Sequence, residues 1–356
     1  MQIRRKLVAW FSEVKGRRQM PWRQTRDPYA IWLSEIMLQQ TRVESAIPYY
    51  QRFISALPTV HALAEAPLAD VLTLWSGLGY YRRARMLHAA AKQVVERWGG
   101  HFPRETEELR ELHGVGEYTA GAVASIAFGR PAALVDGNVT RVLARLFAVE
   151  DDVGRVVGRA RVRELAEALV AKGKGAPGDW NQALMELGAT VCVPGVPRCE
   201  MCPARAECVG RARGIAAELP RTTPKSKPTS VARVAMVLLS KTSVLLARRR
   251  PDALFGGLWE PPGAEGPLEP LALRMGVDPA KLQAVGDVVH TLSHRRLLVE
   301  VVRGPLGGRA RWPIPGPEYD AVRVVPFDRV TSLGQASFAR KVLQLATPTR
   351  QGLLSG

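Results

Sequence analysis

Cysteine is confined to positions 192–208, and the rest of this 356-residue chain has none. A secreted disulfide framework, which spreads its cysteines along the chain, is therefore not expected. Long apolar runs are also missing. No stretch approaches the roughly 20 residues that a helix needs to cross a bilayer. The opening MQIRRKLVAWFSEVKGRR is basic but lacks the apolar core and cleavage site of a signal peptide. An intracellular, cytoplasmic protein is expected, with no membrane association. Acidic residues are few, 33 against 50 Lys and Arg, which leaves a net charge of +17. Such an excess favours a polyanionic partner and binding that weakens steeply with salt. The alternative is a surface that is merely basic. Nucleic acid is the preferred reading, because Arg82, Arg83, Arg85, Arg141 and Arg145 recur at motif edges.

What is present indicates ordinary globular packing, with enough chain for two domains. Up to about residue 215 the texture is helical. Apolar residues recur at helical spacing within Pro28 to Leu38, Val43 to Leu57, Val71 to Trp75, Arg83 to Trp98, Thr106 to Leu112, Glu117 to Phe128, Val139 to Phe147, Val162 to Ala171 and Asn181 to Ala189. Pro, Gly or a capping residue bounds each. The segment ELPRTTPKSKPTS (218–230) is polar and proline-rich, as an exposed linker would be. Beyond it, β-type runs lie at Val231 to Leu239, Ser243 to Arg248, Leu282 to His290, Leu297 to Val302 and Ala321 to Val325, before a last helix from Ala336 to Leu345. The expected organisation is a helical domain over 1–217, a linker over 218–230 and an α+β domain over 231–356.

The stretch LHGVGEYTAGAVASIAFGRPAALVDGN (112–138) carries most of the chemistry. Gly114 and Gly116 let backbone N–H groups come close to an oxyanion at a helix N-terminus, in this basic chain a DNA phosphate. Asp136 follows near that grip. Its alternative reading is a turn residue, with Asn138 as the helix N-cap, and without context the turn is favoured. Glu35 shares a helical stripe with Ile31 and Leu38. A carboxyl so placed is desolvated, which raises its pKa and suits a general acid. An exposed surface glutamate is the other reading, and the stripe alone leaves both open. Tyr118 has packing as its plain alternative. The loop GLGYYRRAR (77–85) mixes aromatics with cations, fit either to wedge between bases or to start a helix with a basic exposed face. His113, His290 and His294 show no metal-ligand spacing.

Four thiolates within one short loop, spaced Cys192-x6-Cys199-x2-Cys202-x5-Cys208, suit a [4Fe–4S] cluster or a zinc ion. Zinc more often uses two C-x2-C pairs, and here there is one. Arg198, Arg205, Arg211 and Arg213 would make the same loop electropositive.

Taken together, SEIMLQQTRVE (34–44), GLGYYRRAR, HGVGEYTAGAV (113–123), VDGNVTRVLARL (135–146), NQALMELGATVC (181–192) and the four cysteines resemble, in order, the helix-hairpin-helix DNA glycosylases, and within them the adenine DNA glycosylases of the MutY type. The resemblance covers nearly the whole chain. It implies a mostly α helix-hairpin-helix glycosylase domain with an iron–sulfur loop, followed by an α+β domain similar to Nudix hydrolases. The implied activity is hydrolytic removal of adenine mispaired with 8-oxoguanine, by a monomer acting on double-stranded DNA. The catalytic glutamate of the family falls on Glu35 and its aspartate on Asp136, with Tyr118 and Asn138 in supporting positions. Related enzymes with a lysine where Tyr118 stands form a Schiff base and cut the strand; a tyrosine cannot. Readers of the opposite lesion fall on Gln40, Thr41, Leu78 and Tyr80, and on Ser293 and His294. Two departures from the family pattern are Leu292, where an aromatic is usual, and His113, where proline is usual. FGGLWEPPG (255–263) resembles a Nudix entry, but the run of metal-binding glutamates that should follow is missing. A recognition domain without nucleotide hydrolysis is expected. The competing readings are a mismatch thymine or uracil glycosylase of the same superfamily, and a non-catalytic lesion-binding protein.

Overall fold

Proline, glycine and capping side chains set the helix boundaries close to where the spacing puts them. In chain order the helices are α1 (Gln2–Val14), α2 (Pro28–Leu38), α3 (Val43–Ala56), α4 (Val60–Glu65), α5 (Leu68–Leu74), α6 (Arg82–Trp98), α7 (Thr106–Arg110), α8 (Glu117–Ile126), α9 (Gly137–Phe147), α10 (Val156–Ala171), α11 (Pro177–Thr190) and α12 (Val209–Ala212). The structure, a computed structural model, describes residues 2–171, 175–223, 228–292 and 294–347. The chain divides into two compact units, one made of Met1–Glu65 with Ala89–Lys225, the other of Ala66–His88 with Ser226–Gly356. Residues 66–88 thus pack with the C-terminal unit, which a single cut at 218–230 does not anticipate.

In the first unit α2 is deeply buried. Asp27 caps it, accepting from the backbone N–H groups of Tyr29 and Ala30, and Pro28 supplies the preset φ of the first turn. Every residue from Tyr29 to Met37 is buried. Burial runs all round the helix and is not confined to one stripe, and Ser34 and Glu35 are buried among its apolar residues. A second core brings Trp180, Leu184 and Leu187 of α11 against Leu7 and Phe11 of α1 and Val142, Leu143 and Leu146 of α9. Arg4, itself buried, donates to the carbonyls of Leu169 (3.1 Å) and Val170 (2.9 Å), satisfying the C-terminal end of α10 where a cation is favoured.

The segment read as a linker begins as part of this unit. Leu219 is buried and its carbonyl accepts from Arg145 Nε (2.8 Å). The Arg221 carbonyl accepts from Val153 N (3.0 Å), and Thr223 N donates to Asp152 (3.1 Å). Its polar composition predicts solvent exposure but not these backbone partners.

In the second unit the strands are β1 (Thr229–Leu239), β2 (Ser243–Arg249), β3 (Trp259–Glu260), β4 (Gly263–Glu265), β5 (Gln283–Thr291), β6 (Arg295–Pro305) and β7 (Tyr319–Pro326), with helices α13 (Leu268–Met275) and α14 (Ser337–Ala346). Among the described residues they form one mixed sheet in the order β3-β2-β1-β6-β5, with β4 on β1 and β7 on β2. The long β1–β6 pairing is parallel, from Thr229 opposite Arg295 to Leu239 opposite Pro305. Leu271 and Met275 of α13 cover Val234, Met236 and Leu238, and α14 packs on β1, β5 and β6. With both faces covered, β1 is buried continuously from Arg233 to Leu238 and does not alternate. Ser76 and Tyr81 tie residues 66–88 into this unit: both hydroxyls donate to the Gln335 carbonyl (3.0 and 2.6 Å), and Ser76 Oγ accepts from Arg340 (2.6 Å).

The helix after the hairpin, α8, is poor in bulky side chains because the chain runs close beside it. A Cβ built on Gly121 would stand 2.1 Å from the Ala133 carbonyl oxygen. Gly121→Ala is expected to lower stability by about 1–3 kcal/mol through this overpacking, read as a lower denaturation midpoint by circular dichroism. An unchanged midpoint would contradict the packing described.

Candidate active site and cysteine loop

Two helix starts and one enclosed helix bring the acids together. Gly114 adopts φ +75°, the left-handed conformation that favours glycine, and the chain turns there into α8, whose N-cap is Gly116. Both glycines are exposed, as a phosphate contact requires. The next break, at Asp136, opens α9. Here the N-cap is Asp136 and not Asn138: Asp136 Oδ1 accepts from Val139 N at 2.6 Å, while Asn138 lies inside the first turn. The aspartate wins because its carboxylate meets free N–H groups and the positive end of the helix dipole. Asn138 Nδ2 then donates to Asp136 Oδ2 at 3.1 Å.

Glu35, Tyr118, Asp136 and Asn138 line a single cavity of about 770 Å³, and Gln40, Thr41, Gly114 and Gly116 line it with them. Of the other residues singled out from the sequence, Leu78, Tyr80 and His294 belong to the second unit. Leu78 is buried, and Tyr80 and His294 are exposed. Ser293 lies outside the described residues. Gln40 adopts φ +56° at the end of α2, a conformation sparsely populated by residues with a side chain, and is exposed at the cavity.

The two carboxyls have unlike surroundings. Glu35 is 4% exposed and accepts a hydrogen bond from the Tyr118 hydroxyl, 2.6 Å from Oε2. Burial pushes the Glu35 carboxyl up to about 7, with the nearby charge of Asp136 adding to the rise; the Tyr118 hydrogen bond and the more distant Arg23 act against it. Burial also raises Asp136, but the Val139 N–H, Asn138 and the positive charge of Arg141 oppose it. One acid is thus poised to hold a proton near neutrality, and the other is furnished with donors that favour its anion.

Several residues of the site carried no signal of their own in the sequence. Glu186 of α11 is 2% exposed and lines the cavity, where it pairs with Arg18 (3.3 Å) and Arg23 (2.5 Å). Gln39 lines it too and donates to Thr119 Oγ1 (3.3 Å). Glu186 falls inside NQALMELGATVC, so its motif was visible while its role was not. The basic residues at motif edges need correction as well. Arg141 is committed to Asn138 Oδ1 (2.9 Å) and to the carbonyls of Gly188 and Cys192 (both 2.8 Å). Arg145 is 2% exposed and donates to the carbonyls of Val193 and Gly195 (both 2.7 Å). Arg83 is buried and bonds the Gly79 carbonyl. These three build structure; a one-dimensional pattern of cations does not distinguish such residues from surface ones.

All four cysteines line one small cavity with Arg145. Arg145 donates to Cys192 Sγ at 3.5 Å, and Cys208 Sγ donates to the Arg145 carbonyl at 3.4 Å. Burial, helped by the neighbouring sulfurs, pushes the Cys202 thiol up to about 11. Four thiols in one pocket are the donor type of an iron–sulfur or zinc centre, and burial disfavours their thiolate forms unless a strong cation lies beside them. Among the described residues no group of three or more His, Cys, Asp or Glu is arranged to hold a metal ion.

Because the folded pKa of Glu35 lies above its unfolded value, the native state binds the proton more tightly. Its contribution to stability is complete below about pH 4.5 and is lost as pH rises through 7, by up to ~3 kcal/mol. Glu35→Gln keeps the hydrogen bond without the charge. Thermal melts should therefore show the variant gaining on wild type between pH 5 and pH 8; parallel pH profiles would contradict the buried acid.

Residues 33–183 match the HhH-GPD superfamily base excision DNA repair protein family, and residues 234–345 match the NUDIX domain. The adenine DNA glycosylase of Rattus norvegicus is 35% identical over 421 aligned positions, covering 99% of this chain and 80% of that protein. The adenine DNA glycosylase of Homo sapiens is 36% identical, covering 86% and 67%. Among solved structures, a thermostable thymine-DNA glycosylase superposes with a TM-score of 0.51 at 31% identity, covering 59% of this chain and 95% of that one. No described helix is long and apolar enough to cross a membrane. With a helix-hairpin-helix domain followed by a Nudix-like domain, and a relative 35% identical over 99% of this chain and 80% of its own length, the chain belongs to the adenine DNA glycosylases.

Proposed function

We propose that this chain is a monofunctional DNA glycosylase that releases adenine paired with 8-oxoguanine or guanine, by hydrolysis of the N-glycosidic bond. The observation that carries the reading is the pair of carboxyls, buried Glu35 and half-buried Asp136, in one cavity beside an exposed glycine hairpin. DNA docks on the hairpin N–H groups and the adenine is extruded into the cavity, at a cost of a few kcal/mol that is smaller at a mispair. Neutral Glu35 gives its proton to N7, so that the base does not have to leave as an anion. The C1′–N9 bond breaks, the deoxyribose becomes cationic, and ionised Asp136 stabilises it until water adds at C1′ and gives up a proton to the Glu35 carboxylate. Tyr118 orients Glu35, Asn138 orients Asp136, and no amine is available at position 118 to form a Schiff base. Gln40, Thr41, Leu78, Tyr80, Ser293 and His294 read the opposite 8-oxoguanine. In place of the Nudix glutamate run stands α13, whose one carboxylate is Glu269, which supports a recognition domain without hydrolase activity. The rival thymine glycosylase reading draws on the likeness to the thymine-specific structure, which covers 59% of this chain. The adenine glycosylase relative extends through the second domain as well, which favours adenine.

Cys192, Cys199, Cys202 and Cys208 would hold a [4Fe–4S] cluster. When bound, it supplies the positive charge that stabilises four thiolates and fixes the loop 192–208. Glu35 and Asp136 need no Lewis acid for their part.

Glu35→Gln should abolish adenine release from a duplex with adenine opposite 8-oxoguanine, lowering the single-turnover rate at least a thousandfold, while binding to the same duplex persists. Wild-type reactions should give strand breaks only after alkali. Equal loss of binding and release, or thymine released from a thymine–guanine pair in preference, would overturn the assignment. Purified protein should carry iron and acid-labile sulfide with visible absorbance; zinc without iron would refute the cluster.

A further inference from the structure

A second cavity, of about 450 Å³, adjoins the catalytic one within the same unit. Arg18, Met20, Trp22, Arg23, Ile126 and Gln182 line both and form the wall between them. None of the four residues placed around the reacting bond reaches the second cavity. Its own lining includes Phe11, Lys15, Gly16 and Asp179.

Arg23 is the part of the wall that touches both sides. Its Nη2 pairs with Glu186, which lines the catalytic cavity only, while its guanidinium carbon lies 5.3 Å from the ring of Phe11, which lines the second cavity only. Arg23 Nη1 is buried and has no hydrogen-bond partner. If Arg23 swings aside, Glu186 keeps Arg18 as its counter-ion at 3.3 Å, so the wall opens without stranding a buried carboxylate.

A glycosylase has a product to dispose of on this side of the DNA. Docked on the hairpin and on Gln40 and Thr41, the duplex covers the opening through which the adenine entered. The freed base then lies between the protein and the abasic strand. Adenine that has taken one proton and lost its sugar is neutral, planar and rich in acceptor nitrogens. A chamber with an indole wall, an unpaired guanidinium N–H and a volume in the ~300–1,000 Å³ range of small-molecule sites matches that chemistry.

We propose that the second cavity receives the excised purine and is its way out while the abasic DNA stays bound. The proposal rests on the function given above. The test is to fill the chamber from its far side. Gly16 lines the chamber and a Cβ built on it meets no atom within 4 Å, so Gly16→Trp adds an indole at the chamber's lining with no clash at Cβ. Lys15→Trp, at an exposed position, does the same from the adjoining residue and carries the test if the first variant does not fold. With duplex carrying labelled adenine opposite 8-oxoguanine, acid-quenched single turnovers report cleavage. Rapid gel filtration of the undenatured complex reports departure of the free base. Cleavage should stay within twofold of wild type in both variants, while departure of adenine slows at least tenfold. Adenine leaving as fast as from wild type, or cleavage and departure falling together, would overturn the exit route. If wild type yields no free adenine at all, the proposed function fails instead.

Discussion

Removing one carboxyl from water is the constraint on which the site depends. Glu35 sits on a helix buried from Tyr29 to Met37, with the Tyr118 hydroxyl as its hydrogen-bond donor and the charge of Asp136 nearby. Each of these surroundings has a separate structural cause. The enclosure comes from the apolar residues that surround α2, the donor comes from α8, and the neighbouring charge comes from the cap of α9. Losing the enclosure or the neighbouring charge would return Glu35 towards an ordinary acid, ionised at neutral pH and unable to protonate a base, whereas the Tyr118 hydrogen bond acts the other way and holds the carboxyl in place.

Asp136 shows how a local rule and a chemical role coincide. Capping a helix is a structural task, and an aspartate performs it by accepting backbone N–H groups. Those same bonds favour its anion against the desolvation that both acids share. Asn138 and Arg141 extend the arrangement outward, and Arg141 also reaches Cys192 at the start of the cysteine loop. Arg145, one turn further along α9, holds the carbonyls of Val193 and Gly195. A single helix thus begins at the candidate catalytic aspartate and anchors the loop that carries the four thiols. Two arginines that look like DNA contacts in the sequence are occupied in holding it.

The second unit has a different logic. Its central strand is buried on both faces and reads as an unbroken apolar run, and its shortest strands, Trp259–Glu260 and Gly263–Glu265, are too brief to carry any period. Glu260 is buried there and pairs with Arg249 (2.8 Å) and the Tyr319 hydroxyl (2.7 Å) inside the domain. The FGGLWEPPG run builds this packing around Glu260, and the helix that follows offers one exposed carboxylate.

Much of this was legible along the chain because it depends on neighbours a few residues apart. Helical spacing located α2, α6 and α9 to within two residues. The Gly114–Gly116 turn, the four-cysteine spacing and the change of texture near residue 218 are equally local. Three features were not legible, because they depend on residues far apart in sequence. Glu35 is an acid through enclosure by the whole first unit, where its own helix offered only a stripe. Glu186 lies more than a hundred and fifty positions from the arginines that pair with it. Residues 66–88 join a partner segment that begins at residue 226. Residue order sets which elements form and where they stop, since capping, turns and periodicity act over a few positions. Which carboxyl is dry, which arginine is spent on structure and which cavities share a wall are settled by packing, since desolvation and pairing act through space.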